Sequence, residues 1–289
     1  MSNALQFPES VTTHSGACLL RWDPEGDQEP GSVMVASGML GPRSWIAAGP
    51  QIASATRRTC LALVLGTLPI DPGADDLIAH AAAVISAEIQ DLDPRVMVAH
   101  SFAGPLFLAM LATDAIRPPG VRGLVLCNSM LPVKMTQVPK FARSVKGGMP
   151  EVPVGTEQTP SERVEMFLDA FVVRPDAITA EQRSYLVDTP PNPAGDADTI
   201  RQLQQAIGAA STRIAFGKGL TDLLKACPVP VKFLMGAEDP LVPTFLADNL
   251  TGRGSIPGVE VEIIERCGQF CYIDAAADVA QTAAGLVGG

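Results

Sequence analysis

The residues around Ser101 could supply the nucleophile of a serine-dependent enzyme. An apolar run at residues 95–99 predicts a buried strand, a helical pattern follows at 106–115, and Ser101 falls in the turn between them. A serine on such a sharp turn presents its hydroxyl at the edge of a sheet, and the small neighbours Ala99 and Ala103 let the turn form without collisions. The alternative is an ordinary turn in which Ser101 caps a helix.

Two other short stretches offer groups that would complete such a site. Asp239 follows a predicted strand that ends at Gly236, and open α/β sheets place their sites at that end of their strands. Ser37, Gly38 and Met39 follow an earlier strand, where backbone N–H groups exposed by a glycine turn suit an oxyanion hole. Taken alone, Asp239 also fits a helix N-cap, and the glycine turn fits a plain flexible connection.

The elements that must position these residues alternate between strands and helices. Apolar runs predict strands at residues 31–36, 61–65, 95–99, 122–127, 229–235 and 259–264, and helical spacing predicts helices at 44–57, 74–92 and 106–115. This alternation predicts the α/β class, with a mostly parallel central sheet and helices on both faces. Residues 17–22 predict one or two antiparallel strands at its start.

The sequence pattern changes between residues 130 and 226, where proline and glycine separate short helical patterns. Helices are predicted at 161–172, 179–187, 196–210 and 219–226, without a strand-like run. We therefore predict a core domain of residues 1–129 and 227–289 and a helical cap at 130–226; the alternative is helices packed on one edge. Candidates to line a pocket under this cap are apolar: Met130, Leu131, Met135, Phe141, Met149, Met166, Phe167 and Phe171.

Taken in this order, the features resemble the α/β-hydrolase fold superfamily over nearly the whole chain. The family's oxyanion loop matches residues 37–39, its nucleophile elbow matches 99–104, and its acid turn matches 236–243. The resemblance implies a triad in which Ser101 is the nucleophile and Asp239 the acid. It further implies an oxyanion hole made by the backbone N–H groups of Met39 and Phe102. Ser37 stands where the family usually has histidine.

The resemblance also implies a base histidine in the turn after the last strand, and this sequence has Gln269 there. Asp274, just beyond, is predicted to start the final helix. None of the three histidines is placed to substitute. His14 lies in the N-terminal strand region, His80 lies in the helix before the elbow strand, and His100 is expected to point away from the position of the base.

Without that histidine, efficient hydrolysis through an acyl-enzyme is not expected. A serine hydroxyl is a weak nucleophile without an adjacent base, and the amide of Gln269 cannot accept a proton near neutral pH. Loss of a triad member removes several orders of magnitude of rate. Oxyanion stabilisation survives, and Asp239 could act as a general acid or base if burial raises its pKa.

We therefore expect a non-hydrolytic enzyme, similar to lyases, cofactor-free oxygenases and cyclases of this superfamily. Its substrate would be a bulky, hydrophobic, carbonyl-rich metabolite of polyketide-like type. The reaction would be C–C bond formation, cyclisation or rearrangement in natural-product biosynthesis. Two alternatives stay open: an ester or lactone hydrolase with a substitute base such as Asp239 acting through water, and a non-catalytic ligand-binding protein.

Composition limits the class of partner. The 289 residues carry a formal net charge of −10 without a basic run, so nucleic acids and anionic membranes are poor partners. No signal-peptide pattern begins the sequence, and the six cysteines are scattered without the spacing of a zinc site. We expect a cytoplasmic protein that acts on a small molecule without cofactor or metal. The sequence leaves the oligomeric state open.

Overall fold

The computed structural model describes residues 6–13, 16–150, 159–188, 197–252 and 255–288, with the side chains of 197–200 excepted. The eight strands of this part of the chain are β1 (Glu9–Thr12), β2 (Cys18–Trp22), β3 (Ser32–Ser37), β4 (Thr59–Leu63), β5 (Pro94–His100), β6 (Gly123–Cys127), β7 (Val231–Gly236) and β8 (Val259–Ile264).

All eight strands belong to one sheet with the order β1-β2-β4-β3-β5-β6-β7-β8. β1 pairs with β2, and β2 with β4, in antiparallel register. The other neighbours are parallel, so the carboxyl ends of β3, β5, β6 and β7 meet at one edge. This confirms the predicted mostly parallel sheet of an α/β fold and brings the turns after these strands together.

The helices are α1 (Gly49–Thr56), α2 (Leu77–Ile89), α3 (Ala103–Ala112), α4 (Val138–Gly148), α5 (Pro160–Phe171), α6 (Ala180–Asp188), α7 (Ala197–Ala215), α8 (Gly219–Ala226), α9 (Cys271–Asp274) and α10 (Ala276–Gly288). Within the described residues, no helix combines the length and the hydropathy that crossing a membrane requires.

Helices cover both faces of the sheet, which is why the central strands read as continuous apolar runs. In β5, Met97 and Ala99 pack into one core cluster with α2, α3 and α8. Val96 and Val98 pack into a second cluster with α1 and α10. Alternate side chains of a strand point to opposite faces, so β5 is buried on both sides and holds the turn after it firmly.

Several predicted boundaries were wrong by a few residues. The strand predicted at 61–65 ends at Leu63, because a 3-10 turn begins at Leu65. The helix predicted at 44–57 divides into a 3-10 turn, Pro42–Ile46, and α1. Pro50 lies in the first turn of α1 and has no N–H group to continue a helix from the preceding turn. α3 begins three residues earlier than predicted, directly after the turn at Ser101.

The described residues between β6 and β7 form the five helices α4 to α8. α4 was not predicted, since Pro139 near its start and Gly147 and Gly148 at its end concealed the helical pattern. α7 extends five residues beyond its predicted end. The division into a core and a cap at residues 130–226 stays a prediction.

Candidate active site

Ser101 lies on a strained turn between β5 and α3. Its backbone has a φ of 55°, in the left-handed region that non-glycine residues rarely adopt. The turn is held by hydrogen bonds from Ser101 N to Cys127 O at 3.2 Å and from Gly104 N to Ser101 O at 3.1 Å. A side chain at Gly104 would collide with Ser129. Strand, turn and helix therefore follow one another as predicted for a nucleophile elbow.

Ser101 is only 4% exposed, and it lines a cavity. Within the described parts of the chain, its hydroxyl makes no hydrogen bond to another protein group. A serine poised for nucleophilic attack is instead expected to donate to a base. The Ser101 hydroxyl is therefore available to a ligand, and no described residue is placed to activate it.

The turn after β3 lies directly against the turn at Ser101. A side-chain carbon at Gly38 would come within 2.8 Å of the backbone nitrogen of Phe102, so only glycine permits this approach. Gly38 N donates to His100 O at 3.2 Å, and Met39 N makes a long bond of 3.4 Å to the Ser37 hydroxyl. Gly38, Met39, Ser101 and Phe102 line the same cavity. The predicted oxyanion residues thus lie beside Ser101.

Asp239 is buried after β7, with a side chain held by many donors. Its carboxylate accepts from Asn128 Nδ2 at 2.5 Å and from the backbone N–H groups of Leu241 at 2.7 Å and Val242 at 3.0 Å. These donors lower the pKa of Asp239, but burial outweighs them and raises it to about 6. Asp239 does not line the cavity. It is a buried acid reached through a neighbouring side chain.

That neighbour is Gln269, which is 1% exposed and lines the cavity. We orient its amide with Nε2 toward Asp239, 2.7 Å from Oδ1 and 2.6 Å from Oδ2. The opposite orientation would place the amide oxygen against two carboxylate oxygens. In this orientation Gln269 Oε1 accepts from His100 Nε2 at 3.2 Å.

Glycine also brings the acid turn and the Gln269 turn together. A side chain at Gly236, the last residue of β7, would collide with the backbone carbonyls of Cys267 and Gly268. The end of β7 therefore approaches the turn that carries Gln269 more closely than any other residue would permit. This contact places position 269 against Asp239, where the resemblance implied a base.

His100 lies behind this pair and is wholly buried. Its Nε2 is 3.1 Å from the backbone carbonyl of Gln269, and its Nδ1 is 3.3 Å from the Ser37 hydroxyl. Its ring packs edge-on against Tyr272, with centroids 4.8 Å apart. Burial lowers the pKa of His100 to about 3, so the imidazole is neutral at physiological pH. The expectation that His100 points away from position 269 was wrong, since its ring supports the turn of Gln269, but His100 does not line the cavity.

The remaining histidines of the sequence are His80 and His14. His80 lies in the first turn of α2, and its Nε2 accepts the backbone N–H of Asp71 at 3.0 Å. His14 lies outside the described residues. Among the residues described, no group of three or more His, Cys, Asp or Glu side chains is arranged to hold a metal ion.

The cavity above Ser101 measures about 740 Å³. Of the predicted lining residues, Met130, Phe141, Met149 and Phe167 line it. Three other apolar candidates do not line it. Leu131 and Phe171 are buried in the two core clusters, and Met135 is 74% exposed. Met166 does not line the cavity either.

Three residues near the site were not predicted. Asn128 follows β6 with a left-handed φ of 41°, and its amide holds Asp239. An asparagine directly after an apolar strand was a sequence signal that could have identified this residue, because asparagine adopts a left-handed φ more readily than most residues. Arg163 on α5 and Arg201 on α7 line the cavity, and no sequence pattern indicated which face of these helices turns inward.

Asp274 does not start the final helix as predicted, since it ends the short helix α9 and α10 begins at Ala276. Its carboxylate accepts the backbone N–H groups of Gly268 at 2.8 Å, Arg174 at 2.9 Å and Val173 at 3.1 Å. Burial raises the pKa of Asp274. Asp274 thus ties the Gln269 turn to the chain after α5.

Comparison with known proteins places this architecture in a family. The chain resembles the crystal structure of a bromoperoxidase from Bacillus anthracis, with 14% identity, coverage of 97% of this chain and 100% of that chain, and a TM-score of 0.65. For an esterase from Exiguobacterium antarcticum the values are 14%, 98%, 100% and 0.66. For a meta-cleavage product hydrolase from Pseudomonas fluorescens they are 18%, 99%, 99% and 0.62.

Because their sequence identities are low, these likenesses show the fold alone. A search of curated proteins found no significant match. The model of the alpha/beta hydrolase family, however, matches residues 32–282, which include every site residue named above. The chain therefore belongs to the alpha/beta hydrolase family.

Proposed function

We propose that this protein is a non-hydrolytic enzyme of the α/β-hydrolase fold. Its substrate is a bulky, hydrophobic, carbonyl-rich metabolite of polyketide-like type, and its reaction is C–C bond formation, cyclisation or rearrangement in natural-product biosynthesis. One observation carries the proposal: the Gln269 amide nitrogen lies 2.6 and 2.7 Å from the Asp239 oxygens, at the position where the resemblance implies a base histidine.

An amide in this place cannot perform the proton transfer that acyl-enzyme chemistry needs. The amide nitrogen of Gln269 donates to Asp239, and neither its nitrogen nor its oxygen accepts a proton near neutral pH. His100 does not substitute, because burial lowers its pKa to about 3, which makes it a weak base, and its Nε2 faces the backbone carbonyl of Gln269. The Ser101 hydroxyl therefore retains its proton and serves as a hydrogen-bonding group.

The groups that remain suit the stabilisation of negative charge on a carbonyl oxygen. The backbone N–H groups of Met39 and Phe102 lie at the turns beside Ser101, where an enolate or alkoxide oxygen would accept from them. The Ser101 hydroxyl adds a third donor. Asp239, with a pKa raised to about 6, is the candidate for proton transfer once the Gln269 side chain turns aside.

The cavity supports a bulky, mostly apolar substrate. Its volume of about 740 Å³ falls within the range of small-molecule sites, and Met130, Phe141, Met149 and Phe167 contribute apolar surface. Methionine side chains adapt to irregular ring systems better than branched ones do. We place the reaction in the cytoplasm and assign it no cofactor.

Hydrolysis of p-nitrophenyl esters by the purified protein tests the proposal. We expect turnover no faster than a serine-independent background, and no change in Ser101→Ala. Hydrolysis at ordinary enzyme rates, kcat/KM of about 10⁴ M⁻¹s⁻¹ or more, that Ser101→Ala abolishes would refute it. Thermal unfolding of both proteins confirms that they are folded.

A hydrolase with a substitute base is the second candidate, favoured by the raised pKa of Asp239. In that mechanism Asp239 would accept a proton from Ser101 through a water molecule. A fluorophosphonate probe separates the two, since it reacts only with an activated serine. Rapid labelling of wild type, absent from Ser101→Ala, would support the hydrolase. Absence of labelling supports the non-hydrolytic enzyme.

A further inference from the structure

Among the residues that the structure describes, the ionisable side chains that line the cavity above Ser101 carry one sign of charge. Arg163 and Arg201 line it, and the other described lining residues are neutral. This is unusual for a chain that has 31 acidic and 21 basic residues. We propose that the cavity binds an organic anion, an apolar molecule that carries a carboxylate beside Arg163 and Arg201. The inference rests on the proposed function, because it names the substrate class of the same site.

The acidic residues of α5 are engaged elsewhere and leave Arg163 to a ligand. Glu162 closes the N-terminal cap of α5 through Thr159. Glu165 and Asp169 both pair with Arg183, at 3.2 and 2.6 Å. Among the described residues, Arg163 therefore forms no ion pair within the protein. A partly buried guanidinium at a cavity wall is more stable with an anion beside it than without one.

The carboxylate of Asp239 is shielded from the cavity. Asp239 does not line the cavity, and the amide nitrogen of Gln269 lies 2.7 and 2.6 Å from its two oxygens. A histidine at 269 would share its proton with Asp239 and expose a titrating group, whereas the amide presents a neutral surface. Among its described lining residues, the cavity thus has the guanidinium groups of Arg163 and Arg201 in its wall and a neutral floor at Ser101 and Gln269. An anionic ligand meets attraction from the wall without repulsion from Asp239.

The arrangement also indicates how the ligand lies. Arg163 and Arg201 belong to α5 and α7, whereas Ser101, Met39 and Phe102 belong to the turns after β5 and β3. The carboxylate would pair with the guanidinium groups, whose planar fork matches two carboxylate oxygens. The apolar body would cover the phenylalanine and methionine side chains. A carbonyl group at the other end of the ligand would then accept hydrogen bonds from Ser101 and from the oxyanion N–H groups.

A matched pair of fluorescent probes tests this inference without requiring turnover. At pH 7, 1-pyrenebutyrate is an anion, and 1-pyrenebutanamide has the same size and shape without the charge. Fluorescence anisotropy gives Kd for each probe with wild type, Arg163→Gln, Arg201→Gln and the control Arg143→Gln. Arg143 is exposed on α4 of the same helical segment and does not line the cavity.

We expect wild type to bind the carboxylate at least about tenfold more tightly than the amide. A tenfold difference in Kd requires only about 1.4 kcal/mol, which a charge-assisted ion pair can supply. Arg163→Gln and Arg201→Gln should each reduce this ratio several-fold, while Arg143→Gln keeps it. Raising salt from about 50 to about 500 mM should weaken carboxylate binding more than amide binding.

Equal affinity for the two probes, no measurable binding of either, or an unchanged ratio in Arg163→Gln would overturn the inference. Those outcomes leave the proposed function standing, because they concern binding only. Conversely, rapid Ser101-dependent ester hydrolysis would overturn the proposed function and leave the anion preference intact. Circular dichroism of each variant confirms that a lost ratio reflects the lost charge and not a lost fold.

Discussion

The amide nitrogen of Gln269 lies 2.7 Å from Oδ1 and 2.6 Å from Oδ2 of Asp239. A neutral side chain that can only hydrogen-bond thus faces the buried acid of an α/β-hydrolase fold. The Asp239 carboxylate therefore accepts hydrogen bonds from Asn128, Leu241, Val242 and Gln269. None of these donors is a histidine.

The raised pKa of Asp239 should be visible in the pH dependence of stability. The native state holds this proton up to about pH 6, whereas an exposed aspartate has a pKa of 3.8, so the Asp239 contribution to the free energy of unfolding falls as pH rises through that window. His100 has the opposite effect. Its pKa is lowered from 6.5 to about 3, so its contribution rises with pH between those values.

Asp239→Asn removes one of these two opposing contributions. Its free energy of unfolding should therefore rise with pH between 4 and 6 more steeply than that of wild type, by on the order of 2 kcal/mol over the window. Urea denaturation at several pH values measures the difference. Parallel curves for the two proteins would show that the pKa of Asp239 is not raised.

Gly236→Ala should separate the acid turn from the Gln269 turn. The added methyl group collides with the backbone carbonyls of Cys267 and Gly268, which cannot rotate away as a side chain can. We expect a loss of about 2–3 kcal/mol in the free energy of unfolding, typical of overpacking. Gly285→Ala in α10 is the control, since nothing lies within 4 Å of its added carbon and helical alanine is preferred to glycine. Equal stability of the two variants would contradict the close approach.

The left-handed backbone at Ser101 should cost stability in the resting protein. Ser101→Gly removes the steric penalty of a φ of 55° and should raise the free energy of unfolding by about 1 kcal/mol. Ser101→Ala retains the penalty and loses a hydroxyl that has no partner in the described structure, so its stability should stay near that of wild type. Thermal unfolding compares the three proteins. A less stable Ser101→Gly would count against a strained turn.

The sequence predicted the sheet and the elbow well, because both depend on local patterns. Apolar runs buried on both faces marked the strands around Ser101, and small residues at Ala99, Ala103 and Gly104 marked the turn. Positions 239 and 269 are 30 residues apart in the sequence, yet their pairing was anticipated from the order of motifs. Roles for these residues in catalysis stay predictions.

What the sequence could not indicate depends on packing between distant elements. Arg163 and Arg201 reach the cavity because of how α5 and α7 rotate against the core, and a helical pattern rich in charges does not fix that rotation. Phe171, by contrast, packs edge-on against Phe270 with centroids 5.6 Å apart, which removes it from the cavity. Asp274 resembled a helix cap in the sequence and instead binds backbone N–H groups about 100 residues away.

The measurement that tests the central claim most directly is the esterase activity of Gln269→His. An imidazole at this position would face Asp239 and could accept the proton of Ser101. We predict that kcat/KM for p-nitrophenyl butyrate rises at least about a hundredfold above wild type. The gain should disappear when Ser101→Ala is added, and the exposed Gln281→His in α10 should leave the activity of wild type unchanged. A folded Gln269→His protein with no gain, or a wild type that already hydrolyses the ester rapidly through Ser101, would contradict the account.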